Sequence, residues 1–255
     1  MKNLVIGNTS QLSNYFPDDY EKISSRDIEY SDKKYDSIYL CLGEQRTHLN
    51  DRDLFFDVHV DHTVKILKHY TKMANKVVIY GTSDLWNNCN GPIDVTTPYN
   101  YKQSKYVDSK RVMLEIVNQL FPNVIILHPF DFISINLKDY HLINKVIKSI
   151  INEEKIIIGD THYYTELLHP KFVVEKSIEA TSSGIIGSGR LIYLNDFIKG
   201  LYSYFSLDYN DFVTEEYDKD KDKNIFYLKS KQVLYNNIHN DTIREIENFR
   251  PLKKL

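Results

Sequence analysis

The sequence predicts an α/β fold, a doubly wound parallel sheet with a small C-terminal lobe. Two observations carry that prediction. Short, nearly continuously apolar runs recur through the first half, at Asn3–Ile6, Tyr20–Ser24, Ser37–Leu42, Lys76–Tyr80 and Val124–Leu127. Runs of that kind are strands covered on both faces. Helix-length stretches separate them, at Ser10–Phe16, Asp57–Met73 and Tyr106–Leu120, and such alternation makes a parallel sheet with crossover helices. The fold is therefore Rossmann-type, with ligands expected beyond the carboxyl ends of the strands.

The second half is less regular. Helices are expected at Leu142–Asn152, Pro170–Ser183 and Leu194–Ser206, and a strand at Lys155–Ile158; Pro170 suits a helix's first turn. The chain divides on this reading into a dinucleotide-binding core, 1–128, and a mainly substrate-binding lobe, 129–255, interleaved with the last strands of the core. Glu215–Lys223 alternates acids and bases and reads as a solvated loop.

Composition narrows the function classes. A formal net charge of −3, with basic residues scattered, points to neither nucleic acid nor a membrane surface. Two cysteines, Cys41 and Cys89, are too few for a disulfide framework or a four-ligand zinc site, and no metal is expected. Met1-Lys2-Asn3 leads directly into a strand without a signal-peptide pattern, and no apolar run approaches the ~20 residues of a membrane span. The expectation is a soluble cytoplasmic protein.

Tyr106-Val107-Asp108-Ser109-Lys110 places a phenol and an ammonium one helical turn apart on one face. An adjacent ammonium favours the phenolate, which gives a proton donor and acceptor for the oxygen of an alcohol or ketone. Val77–Tyr80 ends in Gly81-Thr82-Ser83, and the Thr82 hydroxyl can hold the same oxygen. Tyr101-Lys102-Gln103-Ser104-Lys105 has the same Tyr-x-x-x-Lys spacing. Spacing favours Tyr106. A helix from there to Leu120 fills the gap before Phe121-Pro122-Asn123 and the next strand, whereas a start at Tyr101 loads the first turn with lysines.

The cofactor end is written less firmly. Gly7-Asn8-Thr9-Ser10-Gln11-Leu12-Ser13 follows the first strand. A dinucleotide turn wants three glycines, for backbone approach to the pyrophosphate and tight helix packing. Only Gly7 is present; Ser10 and Ser13 hold the other places, where a small side chain with a hydroxyl can bond a phosphate, and the alternative is an ordinary strand-to-helix turn capped by Thr9 or Ser10. The second strand ends Ser24-Ser25-Arg26. Arg at that point accommodates a 2′-phosphate, with Ser25 adding a hydroxyl, so NADP(H) is expected. Asp27 stands ready to neutralise Arg26 instead.

On these residues the chain resembles an extended short-chain dehydrogenase/reductase acting on nucleotide sugars. Gly7-Asn8-Thr9-Ser10-Gln11-Leu12 is similar to the Gly-Ala-Thr-Gly-Gln-Leu turn of the dTDP-4-keto-rhamnose reductase group. Thr82-Ser83-Asp84-Leu85-Trp86 is similar to the Thr-Ser-Glu-Leu-Tyr run of GDP-mannose 4,6-dehydratase. Gly159-Asp160 through His169, and Gly187-Ser188-Gly189-Arg190-Leu191 with Phe197 and Tyr204–Tyr209, are similar to that dehydratase's C-terminal part. The resemblance implies Tyr106 as acid/base, Lys110 tuning it and holding the nicotinamide ribose, and Thr82 on the substrate oxygen. It implies Gly7, Thr9, Ser10, Gln11 and Leu12 at the pyrophosphate, and Leu42 and Gly43 over the adenosine-side ribose. Tyr80, His128 and Phe130 fall on the nicotinamide side, and Ser83, Asp84, Trp86 and Asp131 on the substrate. It also implies a homodimer through the Asp57–Met73 and Tyr106–Leu120 helices.

Departures from the pattern bear on the reaction. His59 stands where the family usually has Asn, Trp86 where it has Tyr, Asp131 where an Asn often contacts sugar or phosphate, and Thr165 where the dehydratase has Arg. Dehydration needs a base at sugar C5, and the family's Glu is here Asp84, one methylene shorter. A displacement of 1 Å can cost about 100-fold. The chain's 255 residues are also short for a dehydratase or epimerase of this superfamily. The expected activity is an NADPH-dependent reduction at C4 of a nucleotide-linked 4-keto-6-deoxy sugar, GDP-linked by the resemblance of the second half, in surface polysaccharide biosynthesis. The alternatives are a dehydratase or epimerase with Asp84 as base, and a non-catalytic NADP(H)-binding sensor or scaffold.

Overall fold

The computed structural model describes residues 2–26, 28, 30–46, 49, 51–136, 138, 141–216, 228–231 and 237–249. Asp27 and the mixed-charge stretch from Tyr217 onward lie outside the described residues. The chain forms two compact units: Met1–Asn88, Asp94–Phe130 and Lys171–Ile186 make the first, and Cys89–Ile93, Asp131–Pro170 and Gly187–Leu255 the second.

The first unit is built on six strands: β1 (Asn3–Ile6), β2 (Glu21–Ile23), β3 (Tyr35–Leu40), β4 (Ala74–Tyr80), β5 (Ile125–Pro129) and β6 (Gly184–Ile186). Their order is β6-β5-β4-β3-β1-β2, and every pairing is parallel. Leu4, Val5, Ile6, Ile38, Val78 and Ile79 are all buried, the burial on both faces that continuous apolar strands imply. The winding reverses between β1 and β3, so the crevice at the carboxyl ends of those strands is where a doubly wound sheet takes its ligand.

The expected helix over 57–73 begins five residues earlier. Asp51 caps it by accepting from the Leu54 amide at 3.0 Å. Arg52–Phe56 (α1) then runs through a π turn, Asp57–His62, into Thr63–Tyr70 (α2). Lys105–Leu120 (α3) starts behind Ser104, whose hydroxyl accepts from the Val107 amide at 3.1 Å. Pro170–Glu179 (α4) is shorter than the expected 170–183, the residues after it forming the bend that leads into the sixth strand at Gly184–Ile186. Lys76 Nζ donates to the Ser177 and Ile178 carbonyls at the end of α4 (3.0 and 2.7 Å), a cation where the helix dipole favours one.

The second unit packs the helices Leu142–Asn152, Leu194–Tyr204 and Ile238–Phe249 around Val146, Ile147, Ile150, Ile198, Leu201 and Ile246. Four two-stranded ladders surround them, among them Ile156–Ile158 with Val213–Glu215. A buried carboxylate ties two loops to one ladder. Glu166 is fully buried, and its Oε2 accepts from the Ser188 amide (2.6 Å), the Gly189 amide (3.0 Å) and the Ser188 and Ser230 hydroxyls, while Oε1 accepts from the Ser230 amide. Among the described residues no helix is long and apolar enough to cross a membrane.

Candidate functional site

Gly7 follows β1 with φ of 110°, and a Cβ there would lie 2.3 Å from the Cys41 carbonyl oxygen, so only glycine fits this approach. Its amide and that of Asn8 donate to the Ile23 carbonyl (2.9 and 3.1 Å), and the Ser10 amide donates to the Gly7 carbonyl (2.9 Å). The α-helix expected over Ser10–Phe16 is instead one four-residue 3₁₀ turn, Leu12–Tyr15. The fully buried Ser13 hydroxyl is shared between the Asn8 and Ser10 carbonyls, to which it donates (2.8 and 2.6 Å), local bonding that competes with helix, and Pro17 closes the segment. A turn this short lacks the aligned dipole that binds a pyrophosphate. Thr9 and Ser10 reach the surface, whereas Gln11 and Leu12 are buried. The turn therefore offers hydroxyls rather than a helix terminus.

Arg26 lies exposed just beyond β2, without an ion pair among the described residues. Its amide donates to the Ser24 hydroxyl (3.1 Å), and the half-buried Ser25 carbonyl accepts from His62 Nε2. A permanently charged fork beside the β1–β2 ends fits a phosphate on the adenosine side of a dinucleotide.

The α3 boundary separates the two Tyr-x-x-x-Lys pairs. Tyr106 and Lys110 occupy its first two turns on one face, while Tyr101 lies outside it, with its hydroxyl 3.5 Å from Asp108. Lys110 is buried and its Nζ donates to the Tyr80 carbonyl at the end of β4 (3.3 Å); burial pushes the amine down to about 8. Thr82, the residue after next, accepts from the Asp84 amide through Oγ1 (3.2 Å), and its hydroxyl also bonds the Asp84 carboxyl, opposing the rise that burial gives that group. His128 of β5 meets the Thr82 carbonyl through Nδ1 (3.2 Å), and a Cβ on Gly81 would lie 2.4 Å from that nitrogen. Gly43, past β3, comes to Lys110: a Cβ there would be 3.4 Å from Nζ. Thr82, Lys110, Gly43 and His128 thus converge at the carboxyl ends of β3, β4 and β5.

Other expected residues sit differently. The Tyr80 hydroxyl donates to Ser177 Oγ in the core (2.9 Å), leaving its carbonyl, not its ring, at the strand end. Trp86 is 1% exposed, its indole N–H donates to the Thr97 carbonyl (2.8 Å), and its ring meets Tyr99 and His128 edge-on. A sugar contact through that N–H would require the Thr97 bond to break. Ser83 is buried, and Asp84 is partly exposed, its carboxyl raised by burial. Leu42 is half-buried, and Phe130 is buried with its amide on the Ile186 carbonyl (2.9 Å). Asp131 belongs to the second unit, where the Thr165 hydroxyl donates to it (3.4 Å).

Two residues not singled out as contacts, Glu44 and Ser109, complete the constellation around His59. His59 Nε2 lies 3.0 Å from the Glu44 amide nitrogen, which donates to it, and 3.2 Å from the Glu44 carbonyl oxygen, while Nδ1 meets Ser109 Oγ at 2.8 Å; Ser109 Oγ donates to the Tyr106 carbonyl (2.7 Å). Ser109 was legible as the residue beside Lys110; Glu44 carried no signal. Burial, and then Lys110, push His59 down to about 2, and burial pushes His128 down to about 4. Both are neutral in the fold, whereas unfolded histidines take up a proton below about 6.5. The unfolded state then binds more protons, so stability falls as pH drops from about 6.5 toward 4, by roughly 3 kcal/mol for His128 alone. Urea unfolding at pH 7 and pH 5 checks this, and His128→Gln should shrink the difference by roughly half, the His59 share remaining.

A family model described as "NAD dependent epimerase/dehydratase family" matches residues 15–178. The match begins after the glycine turn, where the sequence departs most from the pattern. No curated protein matches in sequence. Among solved structures, the chain is similar to UDP-N-acetylglucosamine 4-epimerase from Methanobrevibacter ruminantium M1 in complex with UDP-N-acetylmuramic acid (TM-score 0.78, 13% identity, 96% of this chain and 97% of that one). It is similar to RMD from Pseudomonas aeruginosa complexed with NADPH (0.76, 12%, 97% and 98%). It is also similar to the dTDP-glucose 4,6-dehydratase DesIV from Streptomyces venezuelae with NAD and TYD bound (0.74, 15%, 98% and 98%).

Proposed function

We propose a specific reaction for this chain, which belongs to the NAD dependent epimerase/dehydratase family: NADPH-dependent reduction, at C4, of a nucleotide-linked 4-keto-6-deoxy sugar. The observation that carries it is the start of α3 at Lys105, which puts Tyr106 and the buried, Tyr80-anchored Lys110 on one face. When bound, a nicotinamide supplies the hydride. The chain's own groups handle the oxygen: the Thr82 hydroxyl donates to it, Tyr106 delivers its proton as negative charge develops there, and the Lys110 ammonium favours the phenolate left behind. Proton and hydride together convert the carbonyl to a secondary alcohol.

Nucleotide-sugar ligands in similar structures support the substrate class. GDP rests on the resemblance of the second half alone, and a role in surface polysaccharide synthesis follows from the product. Loss of NADPH absorbance on adding 4-keto-6-deoxy sugar nucleotides, screened as GDP, dTDP and UDP forms, tests the reaction; no consumption with any of them defeats it. The exposed Arg26 supports NADP(H) over NAD(H). Arg26→Ala should weaken NADPH roughly tenfold or more, the loss of a charged hydrogen-bonding pair, and leave NADH unchanged by titration calorimetry.

One observation favours a second reading. Burial raises the Asp84 carboxyl and makes it the better base, as a dehydratase or epimerase requires; product formed without net NADPH consumption would select it. We also propose a homodimer through α1–α2 and α3, which light scattering tests.

A further inference from the structure

His59 sits in the π turn between α1 and α2 with 1% of its surface exposed. Single π turns re-aim side chains out of the regular helical register. This one brings an imidazole to the two groups on which the proposed reduction depends. The ring stacks on Phe55 (centroids 5.8 Å apart, 24° between planes) and meets the Tyr106 ring edge-on (5.4 Å, 80°). Its Nδ1 reaches the Tyr106 carbonyl through Ser109. Its Nε2 takes the Glu44 amide, and Gly43, the residue before, abuts both that nitrogen (3.6 Å from a Cβ position) and Lys110 Nζ (3.4 Å).

We propose that His59 is a positioning residue: held between the Glu44 amide and the Ser109 hydroxyl, it fixes the Gly43–Glu44 turn against Lys110 and the Tyr106 ring against α1, and so keeps the ammonium shielded from water. The inference rests on the reading of Tyr106 and Lys110 as the proton-handling pair. Lys110 is faced by His59 from the π turn, His128 from β5 and the Tyr80 carbonyl from β4. A second proton on the imidazole would be buried and lie beside the Lys110 charge, which outweighs the Glu44 carbonyl 3.2 Å from Nε2. The imidazole therefore stays neutral, and Lys110 is the group that carries charge. A phenylalanine would keep the ring packing and strand the Glu44 amide; an asparagine reaches only the position of Nδ1, and a glutamine that of Nε2.

Competitive acetylation with trace acetic anhydride across a pH series, read on the Lys110 peptide by mass spectrometry, tests this without a sugar substrate. The native chain should label with a midpoint near 8. In His59→Asn the turn loses its anchor, water reaches the amine, and the midpoint should rise by about one pH unit or more; His59→Gln should restore it. Should His59→Asn misfold, Ser109→Ala, which removes the other anchor, should raise the midpoint in the same direction. An unchanged midpoint in these folded variants, or a glutamine variant displaced as far as the asparagine one, overturns the proposal. NADPH titration of the native chain keeps the two ideas apart. If the cofactor fails to bind while the Lys110 midpoint still follows residue 59, the positioning stands and the reductase reading falls.

Discussion

Replacing Tyr106 with phenylalanine should lower turnover by about 10²–10⁴-fold, the share a positioned proton donor contributes, with NADPH affinity nearly unchanged. The substitution removes one oxygen. The ring that packs against Phe55 and His59 remains, at 5.9 and 5.4 Å between centroids, so α3 keeps its place. Lys110 keeps its bond to the Tyr80 carbonyl, and Thr82 keeps its bonds to Asp84. What is lost is the only step that neutralises the developing alkoxide. Tyr101→Phe should do little, because Tyr101 precedes the Ser104 cap and shares no helical face with Lys105. Single-turnover loss of NADPH signal with each variant decides the matter; the reverse pattern would transfer the acid to Tyr101.

The largest stability effect is expected at Glu166→Gln. Each carboxylate oxygen faces at least one backbone amide: Ser188 and Gly189 on Oε2, Ser230 on Oε1. Whichever way the glutamine amide turns, its NH₂ confronts a main-chain N–H in a fully buried site. A buried donor left without its acceptor costs about 1–3 kcal/mol, and more where the lost partner was charged. The second unit should lose that much. Amide exchange on peptides carrying Ser188, Gly189 and Ser230 should accelerate by roughly 10–100-fold, at about 1.4 kcal/mol per factor of ten. Unaltered protection would mean the bonds contribute nothing net.

The sheet was legible where its strands are buried on both faces. β1 matches its expected span, and β3, β4 and β5 differ only at their ends, because continuous burial writes itself as continuous apolar sequence. Ser104 before Lys105 was also a readable signal: it caps the helix so that Tyr106 and Lys110 lie inside it and Tyr101 outside. Short-range hydrogen bonding was not legible. Ser13 sits in a helix-like context, yet its hydroxyl folds back on Asn8 and Ser10 and leaves a 3₁₀ turn. Trp86 reads as a substrate contact from the resemblance of Thr82–Trp86, and Tyr80 as ligand-facing from its place at the strand end, and neither signal says which way an aromatic turns; here the indole N–H is taken by Thr97 and the phenol by Ser177. β6 escaped notice because three residues, Gly184-Ile185-Ile186, are too few to show a period.

The order in which the sheet is assembled has a consequence during synthesis. β5 is complete by Pro129, but its outer neighbour β6 arrives only at Gly184–Ile186, after a long excursion into the second unit. At about 5–20 residues per second, a nascent chain waits several seconds with the Ile126–Leu127 edge unpaired, the kind of strand edge that recruits foreign strands. Fusion of a chaperone-binding reporter at successive lengths should therefore find its strongest engagement between the emergence of β5 and that of β6.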